Sequence, residues 1–255
     1  MDILNLSNLS IKEIFDLANS HEVVIVGEES DSVFEWKIGS HIGSGEMSDV
    51  YNFIDNDKYV MKITQLESEY MDVIESFTDE TYTEYWKRNV VLMNQCPGIT
   101  APIKKAWLVN TKLIFPSFEY EEYGGEEMIY VNLGVSILEK YDITLEVVLK
   151  NSKYIDYELI CEVIKNLYEK LNQYNLYNFD IKFDNFMLKN INDIPQLDTI
   201  IFSDFDFIFE INSTQSKKFN KKSQISDSFN NIETNISSEP NEIKLLEMLK
   251  QKILI

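Results

Sequence analysis

Four short stretches of this 255-residue chain carry residue types and spacings suited to phosphate chemistry. The first is Ile42-Gly43-Ser44-Gly45-Glu46-Met47-Ser48-Asp49-Val50, between two strand-like runs. Glycines lack a Cβ, so the backbone can fold over phosphates and turn its N–H groups toward them, while Val50 would cover a purine ring. A glycine-bearing hairpin turn explains the same two residues. No helix follows directly and no GKS or GKT is present, which excludes a dinucleotide-binding turn and a P-loop. The second stretch is Tyr59-Val60-Met61-Lys62-Ile63, which sets a lysine in an apolar strand. Alternation puts Lys62 on the face of Val60, toward the interior, where an ammonium needs an anionic partner. Phosphate oxygens and a helix carboxylate are natural partners, Glu80 first, then Glu84 and Glu75; a solvent-facing edge lysine is the plainer alternative. The third is Asp180-Ile181-Lys182-Phe183-Asp184-Asn185, with an apolar run on its C-terminal side. The fourth is Ser203-Asp204-Phe205-Asp206, at the end of the apolar run Thr199–Phe202, and a polar turn after a strand accounts for it equally.

The segments that must hold these residues differ in kind along the chain. Ser10 and Glu13 fit a capping box at the start of a short helix. Strand-like runs follow at Glu22–Val26, Phe34–Ile42, Val50–Ile54 and Tyr59–Ile63, then a helical stretch over 67–90. More strands are expected at Ile103–Val109, Lys112–Phe115, Met128–Asn132 and Val135–Glu139, with an acidic loop from Glu119 to Glu127 turning at Gly124–Gly125. After Asp142 the pattern turns helical: Leu159, Val163, Leu167 and Leu171 recur every four residues, with Ile160 and Ile164 beside them. Short strands at Phe186–Leu188 and Thr199–Phe202 then bracket a loop. A β-rich half followed by a helical half gives an α+β protein of two lobes. The expected division is an extension with a short helix (1–33), a β-rich lobe (34–139), a reduced helical lobe (140–211), a mobile polar segment (212–240) and a closing helix (241–255).

Asp180-Ile181-Lys182 followed at Asn185 by an amide and then an apolar strand resembles the catalytic loop of protein kinases, and Lys two residues after Asp is the Ser/Thr-type variant. With the other three motifs in the same order, residues 34–207 resemble the protein kinase superfamily in a divergent, minimal form. The resemblance implies a two-lobed kinase-like fold with a β-rich N-lobe and a shortened C-lobe, and transfer of phosphate from ATP, with Mg²⁺, to protein Ser/Thr hydroxyls. Ile42, Gly43, Ser44, Gly45, Ser48 and Val50 would enclose the nucleotide, and Lys62 would hold its phosphates while pairing with Glu80. Leu138, Glu139 and Tyr141 would form the adenine-binding hinge. Asp180 would take the hydroxyl proton, Lys182 would steady the transferred group, and Asn185 and Asp204 would ligate Mg²⁺. Three departures accompany the likeness. Asn178 stands where a His normally braces the catalytic loop, Asp206 replaces a Gly, and the stretch beyond Asp206 lacks Ala-Pro-Glu and the usual C-terminal helices. An unidentified protein substrate and an activating partner that completes the short lobe are expected.

Composition bounds the alternatives. Lys and Arg number 23 against 43 Asp and Glu, a net charge of −20, which argues against binding nucleic acid or an anionic membrane and favours basic substrate segments. No apolar run is long enough for a membrane span, the first residues lack signal-peptide features, and Cys96 and Cys161 form no CxxC pair. An intracellular, cytoplasmic protein is expected, in the host cytoplasm or a virion if it is viral, since compact kinases of this type occur in large DNA viruses and among bacterial effectors. Two alternatives share the fold: a catalytically silent kinase-like docking module, suggested by Asn178 and Asp206, and a small-molecule phosphotransferase of the aminoglycoside- or choline-kinase type, which Lys182 opposes.

Overall fold

The structure is a computed structural model that describes residues 8–18, 20–25, 32–44, 48–66, 80–115, 127–151, 155–178, 182–203 and 208–210. It is α+β, and every pairing between its strands is antiparallel. The chain divides into two compact units. One takes in the described residues of Met1–Glu75, Glu80–Val91 and Pro102–Lys140; the other those of Ser76–Asp79, Leu92–Ala101 and Tyr141–Ile255.

The first unit is built on a six-stranded sheet. Its strands are β1 (Ser20–Ile25), β2 (Ile38–Ser44), β3 (Ser48–Phe53), β4 (Tyr59–Gln65), β5 (Ile103–Phe115) and β6 (Glu127–Glu139), in the spatial order β1-β5-β6-β4-β3-β2. Helix α1 (Ile11–Leu17) starts at a capping box in which the Ser10 N–H donates to Glu13 Oε2 at 2.7 Å and the Glu13 N–H donates to Ser10 Oγ at 3.2 Å. Ile11 and Phe15 of α1 join Val33, Tyr51, Phe53, Met61, Trp107, Val135 and Ile137 in one apolar core on one face of the sheet. Strand alternation sends the residues between these to the other face: Val60, Lys62 and Thr64 from β4, and Gly134, Ser136 and Leu138 from β6. Helix α2 (Tyr82–Gln95) lies on that second face at Gly134. A Cβ built there would come under 3.0 Å from three atoms of the buried Trp86 indole, so only glycine admits the ring.

In the second unit, α3 (Leu145–Asn151) and α4 (Tyr157–Gln173) accompany two small sheets. One has the order β10-β9-β7, from β7 (Ile143–Thr144), β9 (Phe186–Ile191) and β10 (Ile194–Phe202). The other pairs β8 (Leu176–Asn178) with β11 (Ile208–Glu210). Asp156 caps α4 by accepting from the Leu159 N–H, and the helix buries Ile160, Ile164, Leu167, Tyr168 and Leu171. Leu159 and Val163, expected on the apolar stripe, are half-buried at its margin. Asn175, in the left-handed region at φ 55, ends the helix and turns the chain into β8. The Tyr168 and Phe186 rings meet Phe202 at 5.7 and 4.9 Å, which ties α4, β9 and β10 together.

Several boundaries differ from the sequence expectation. The runs 103–109 and 112–115 are one strand, as are 128–132 and 135–139. Asn110 Nδ2 donates to Asn132 Oδ1 at 2.8 Å across the ladder, so the polar break is a satisfied cross-strand pair. Residues Ser32–Glu35 form a 3-10 turn in place of the start of a strand. Of the helix expected over 67–90, the described part is α2, Tyr82–Gln95, which starts at a second capping box made by Thr81 and Glu84. Residues 67–79, the acidic loop at 116–126, the polar segment 212–240 and the closing helix lie outside the described residues.

Candidate functional site

The first group of site residues lies on the second face of the large sheet. The ladder sets Gly43 opposite Val50, Val50 opposite Lys62, Lys62 opposite Ser136 and Ser136 opposite Ala106, a single row across five strands. Lys62 is 7% exposed in the middle of that row. Val60 and Leu138, one row away, are buried beside it, and Thr64 and Ser136 add two buried hydroxyls. Gly43 has no positive φ, and nothing lies within 4 Å of where its Cβ would be, so neither backbone strain nor packing requires glycine here. Its missing side chain leaves open space over the backbone, room that an approaching ligand can use. Ile42 is 44% exposed, Ser44 is exposed, and Ser48 is half-buried at the start of β3. Gly45 lies outside the described residues.

The three carboxylates weighed for Lys62 stand in different surroundings. Glu84 closes the capping box of α2, accepting from the Thr81 N–H at 3.1 Å and from Thr81 Oγ1 at 3.0 Å. Glu80, half-buried just before the helix, accepts from Arg88 Nε at 3.3 Å, and the Arg88 guanidinium lies over the Tyr85 ring at 5.0 Å. Glu75 lies outside the described residues. At the end of β6, the Glu139 N–H donates to the Pro102 carbonyl at 3.0 Å and the Lys140 N–H to the Lys58 carbonyl at 2.9 Å. Those two N–H groups are thus bonded to backbone carbonyls of the same unit. Tyr141, the first residue of the second unit after the sheet, has its ring under Lys189 Nζ at 5.3 Å.

The second group lies in the other unit. Lys182 is exposed and precedes a 3-10 turn, Phe183–Asn185, whose Phe183 and Asn185 are buried. The Ser203 N–H donates to the Asn185 carbonyl at 2.8 Å, so Asn185 is bonded to the residue that precedes Asp204 in the chain. The β8–β11 ladder pairs Asn178 with Ile208, which brings together the strand leading into the 179–181 segment and the strand leaving the 204–207 segment. Asp180 and Asp204 themselves lie outside the described residues. Among the described residues no three His, Cys, Asp or Glu side chains gather as a metal group.

Sequence reasoning passed over Ser136 and Thr64, whose face depends on strand pairing, and the polar triangle of His41, Ser44 and Asp49 at the end of the β2–β3 hairpin. That triangle also touches Tyr51, whose hydroxyl is pushed up from its ordinary value by burial and, secondarily, by the Asp49 charge. Compared with protein-family models and with curated proteins, the chain matches none. No helix among the described residues is long and apolar enough to cross a membrane.

Proposed function

We propose that the chain is an ATP-dependent phosphotransferase with a two-lobed protein-kinase-like fold, acting on Ser/Thr hydroxyls in basic segments of proteins. The observation that carries this reading is Lys62, buried at 7% on the third strand counted from the glycine-bearing hairpin and in one row with Gly43 and Val50. Protein kinases hold the ATP phosphates with a lysine on that third strand, beneath a Gly-rich loop. The bond from Ser203 to Asn185 supports the same reading, because it joins two segments that in kinases carry the metal ligands.

The residues present fit the nucleotide. A buried ammonium suits phosphate oxygens, the open space at Gly43 suits a close approach, and apolar Val50, Val60 and Leu138 suit a purine. Asn185 and Asp204 offer the hard oxygen donors that Mg²⁺ prefers, and the ion would neutralise charge on the phosphates. Asp180 would orient the acceptor hydroxyl and receive its proton, while Lys182 would neutralise the transferred group. Positioning and charge neutralisation supply most of the acceleration in such a reaction.

A radiolabelled-ATP assay of the wild type beside Lys62→Met and Asp180→Ala, run with Mg-ATP thermal shifts, tests the proposal. With nucleotide at about 100 times its Kd the wild type gains about 2.7 kcal/mol of stability. Loss of a charge-assisted contact costs about 1.5–3 kcal/mol, so Lys62→Met is expected to lose most of that gain. Asp180→Ala is expected to bind Mg-ATP and transfer nothing. Transfer by Asp180→Ala at the wild-type rate refutes the assignment, and a wild type indifferent to millimolar Mg-ATP points to a silent docking module. Transfer to choline or an amine in place of protein identifies a small-molecule phosphotransferase.

A further inference from the structure

β2 is an edge strand of the large sheet and pairs within it with β3 alone. Its first residue is also tied from outside: the Ile38 N–H donates to the Leu9 carbonyl and the Asn8 N–H to the Ile38 carbonyl, both at 2.8 Å. Beyond Ile38 the β2–β3 pairing slips twice, between Ile38 and His41 and again between His41 and Gly43. Each slip interrupts the ladder of backbone hydrogen bonds. Three side chains join the strands where the ladder is broken. The Ser44 hydroxyl donates to Asp49 Oδ1 at 2.8 Å, and His41 Nε2 lies 3.0 Å from both Asp49 Oδ1 and Ser44 Oγ. An ionised carboxylate only accepts, so Nε2 carries a proton and donates to it. Asp49 and Ser44 meet the same ring nitrogen, whereas the relay of serine hydrolases uses both nitrogens, so this triangle joins strands and does not activate the serine. The His41 ring meets the buried Tyr51 edge-on at 5.2 Å, which roots the triangle in the apolar core.

Strand alternation turns the triangle away from the row of Lys62. Asp49 pairs with Ile63 and Tyr51 with Met61, on the apolar core face, while Gly43 and Val50 belong to the face of Lys62. Two members are nevertheless chain neighbours of that other row: Ser44 follows Gly43, and Asp49 precedes Val50. We propose that the triangle is a clasp that fixes the glycine-bearing hairpin from behind, with His41 and Asp49 as positioning residues for nucleotide binding; this rests on the kinase reading above. Tying Ser44 to Asp49 sets Gly43 and Val50 in one row with Lys62 before any nucleotide arrives. A hairpin ordered in advance has less freedom to lose on binding, which raises affinity without a contact to the ligand. Substrate and transition state lie under the same hairpin, so the clasp lowers KM and leaves kcat as it is. No atom of the triangle enters the reaction.

The full chain and its His41→Ala, His41→Gln and Asp49→Ala variants are compared by Mg-ATP thermal-shift titration and by the kinetics of transfer to a basic protein. His41→Ala and Asp49→Ala are each expected to raise Kd and KM for ATP about tenfold, the worth of one hydrogen bond to a charged group, with kcat unchanged. Removing the Asp49 charge would by itself favour an anionic nucleotide, so a weaker Kd in Asp49→Ala has the sign that loss of the clasp gives. His41 and Ser44 are exposed, so Tm without nucleotide is expected to stay within about 4 °C of wild type. His41→Gln keeps an N–H donor and is expected to recover most of the lost affinity. Amide hydrogen exchange at Gly43 and Val50 is expected to quicken in His41→Ala and to slow again in His41→Gln. Wild-type Kd in His41→Ala, whatever its Tm, overturns the inference and leaves the kinase reading standing. So does a loss confined to kcat, or a His41→Gln protein as impaired as His41→Ala. Unchanged or tighter binding in Asp49→Ala overturns the role of Asp49. A wild type that does not bind Mg-ATP overturns both readings together.

Discussion

Replacing Gly134 by alanine puts the packing of the second sheet face to a direct test. Gly134 pairs with Thr64 across β4 and lies two residues before Ser136, so it borders the row that contains Lys62. A Cβ at this position would come under 3.0 Å from three atoms of the Trp86 indole, whereas ordinary contact starts at 3.4 Å. To regain ordinary contact the ring would have to retreat by about 1 Å from its nearest approach of 2.4 Å, and it has nowhere to go: Trp86, Tyr82, Tyr85 and Val90 of α2 are all buried. Overpacking of this kind costs about 1–3 kcal/mol. For a chain of this size each kcal/mol is worth about 2–4 °C, so Gly134→Ala is expected to lower Tm by about 2–12 °C in scanning calorimetry. The double variant Gly134→Ala/Trp86→Phe gives the added methyl room. It is expected to be less destabilised than the sum of the single changes, with a coupling of about 1 kcal/mol. A Gly134→Ala protein melting within 1 °C of wild type, or strict additivity in the double variant, would refute the claim that α2 reaches the sheet through this one glycine.

The capping box gives a prediction with a sign. Hydrogen bonds from Ser10, the backbone N–H first, hold the Glu13 carboxyl below its ordinary value of 4.5, so its stabilisation is present above that value and disappears as pH falls through the lowered one. The Tm difference between wild type and Glu13→Gln should therefore narrow in acid, and Ser10→Ala should cost about 0.5–2 kcal/mol near neutral pH. Burial raises the Cys96 thiol above 9.0. Its contribution is complete below that value and is lost as pH rises past it, so Cys96→Ala should flatten the alkaline decline of Tm. At the β9–β10 turn, Asn192 and Asp193 hold φ of 51 and 63. Asp193→Gly should raise stability by about 0.5–1 kcal/mol in urea melts, since glycine adopts this conformation without a Cβ penalty.

The fold was legible wherever period and pattern agree. β4 is found where Val60-Met61-Lys62-Ile63 predicts it, and α4 where apolar residues recur at three and four. What misled were single residues with two meanings. Gly134 falls between two expected strands, yet it is the place where a tryptophan needs the missing Cβ. Asn110 likewise falls between two expected strands, yet it bonds its cross-strand neighbour Asn132. β8 and β11 have three residues each, too few to display a period, and only their mutual pairing makes them strands.

The candidate site divides in the same way, by whether a residue's meaning is local. Alternation alone puts Lys62 on the inner face, because it depends only on Val60 and Met61 beside it. Its neighbours Ser136 and Val50 come from strands 74 and 12 residues away, and no local signal ties them together. Where α2 begins is set by Thr81, whose N–H and hydroxyl both donate to Glu84 in the capping box, and no periodicity in the sequence marks that start. The substitution at Asn178 is instructive for the opposite reason. In the family that the sequence resembles, a His side chain braces the catalytic loop at this position, and its absence reads as a lost support. Here the backbone of Asn178 is in ladder with Ile208, and the Ser203 N–H bonds the Asn185 carbonyl. Main-chain hydrogen bonds do not depend on which side chain occupies the position. A brace made of backbone can therefore survive the loss of the histidine, and a missing side chain at position 178 is weak ground for reading the chain as inert.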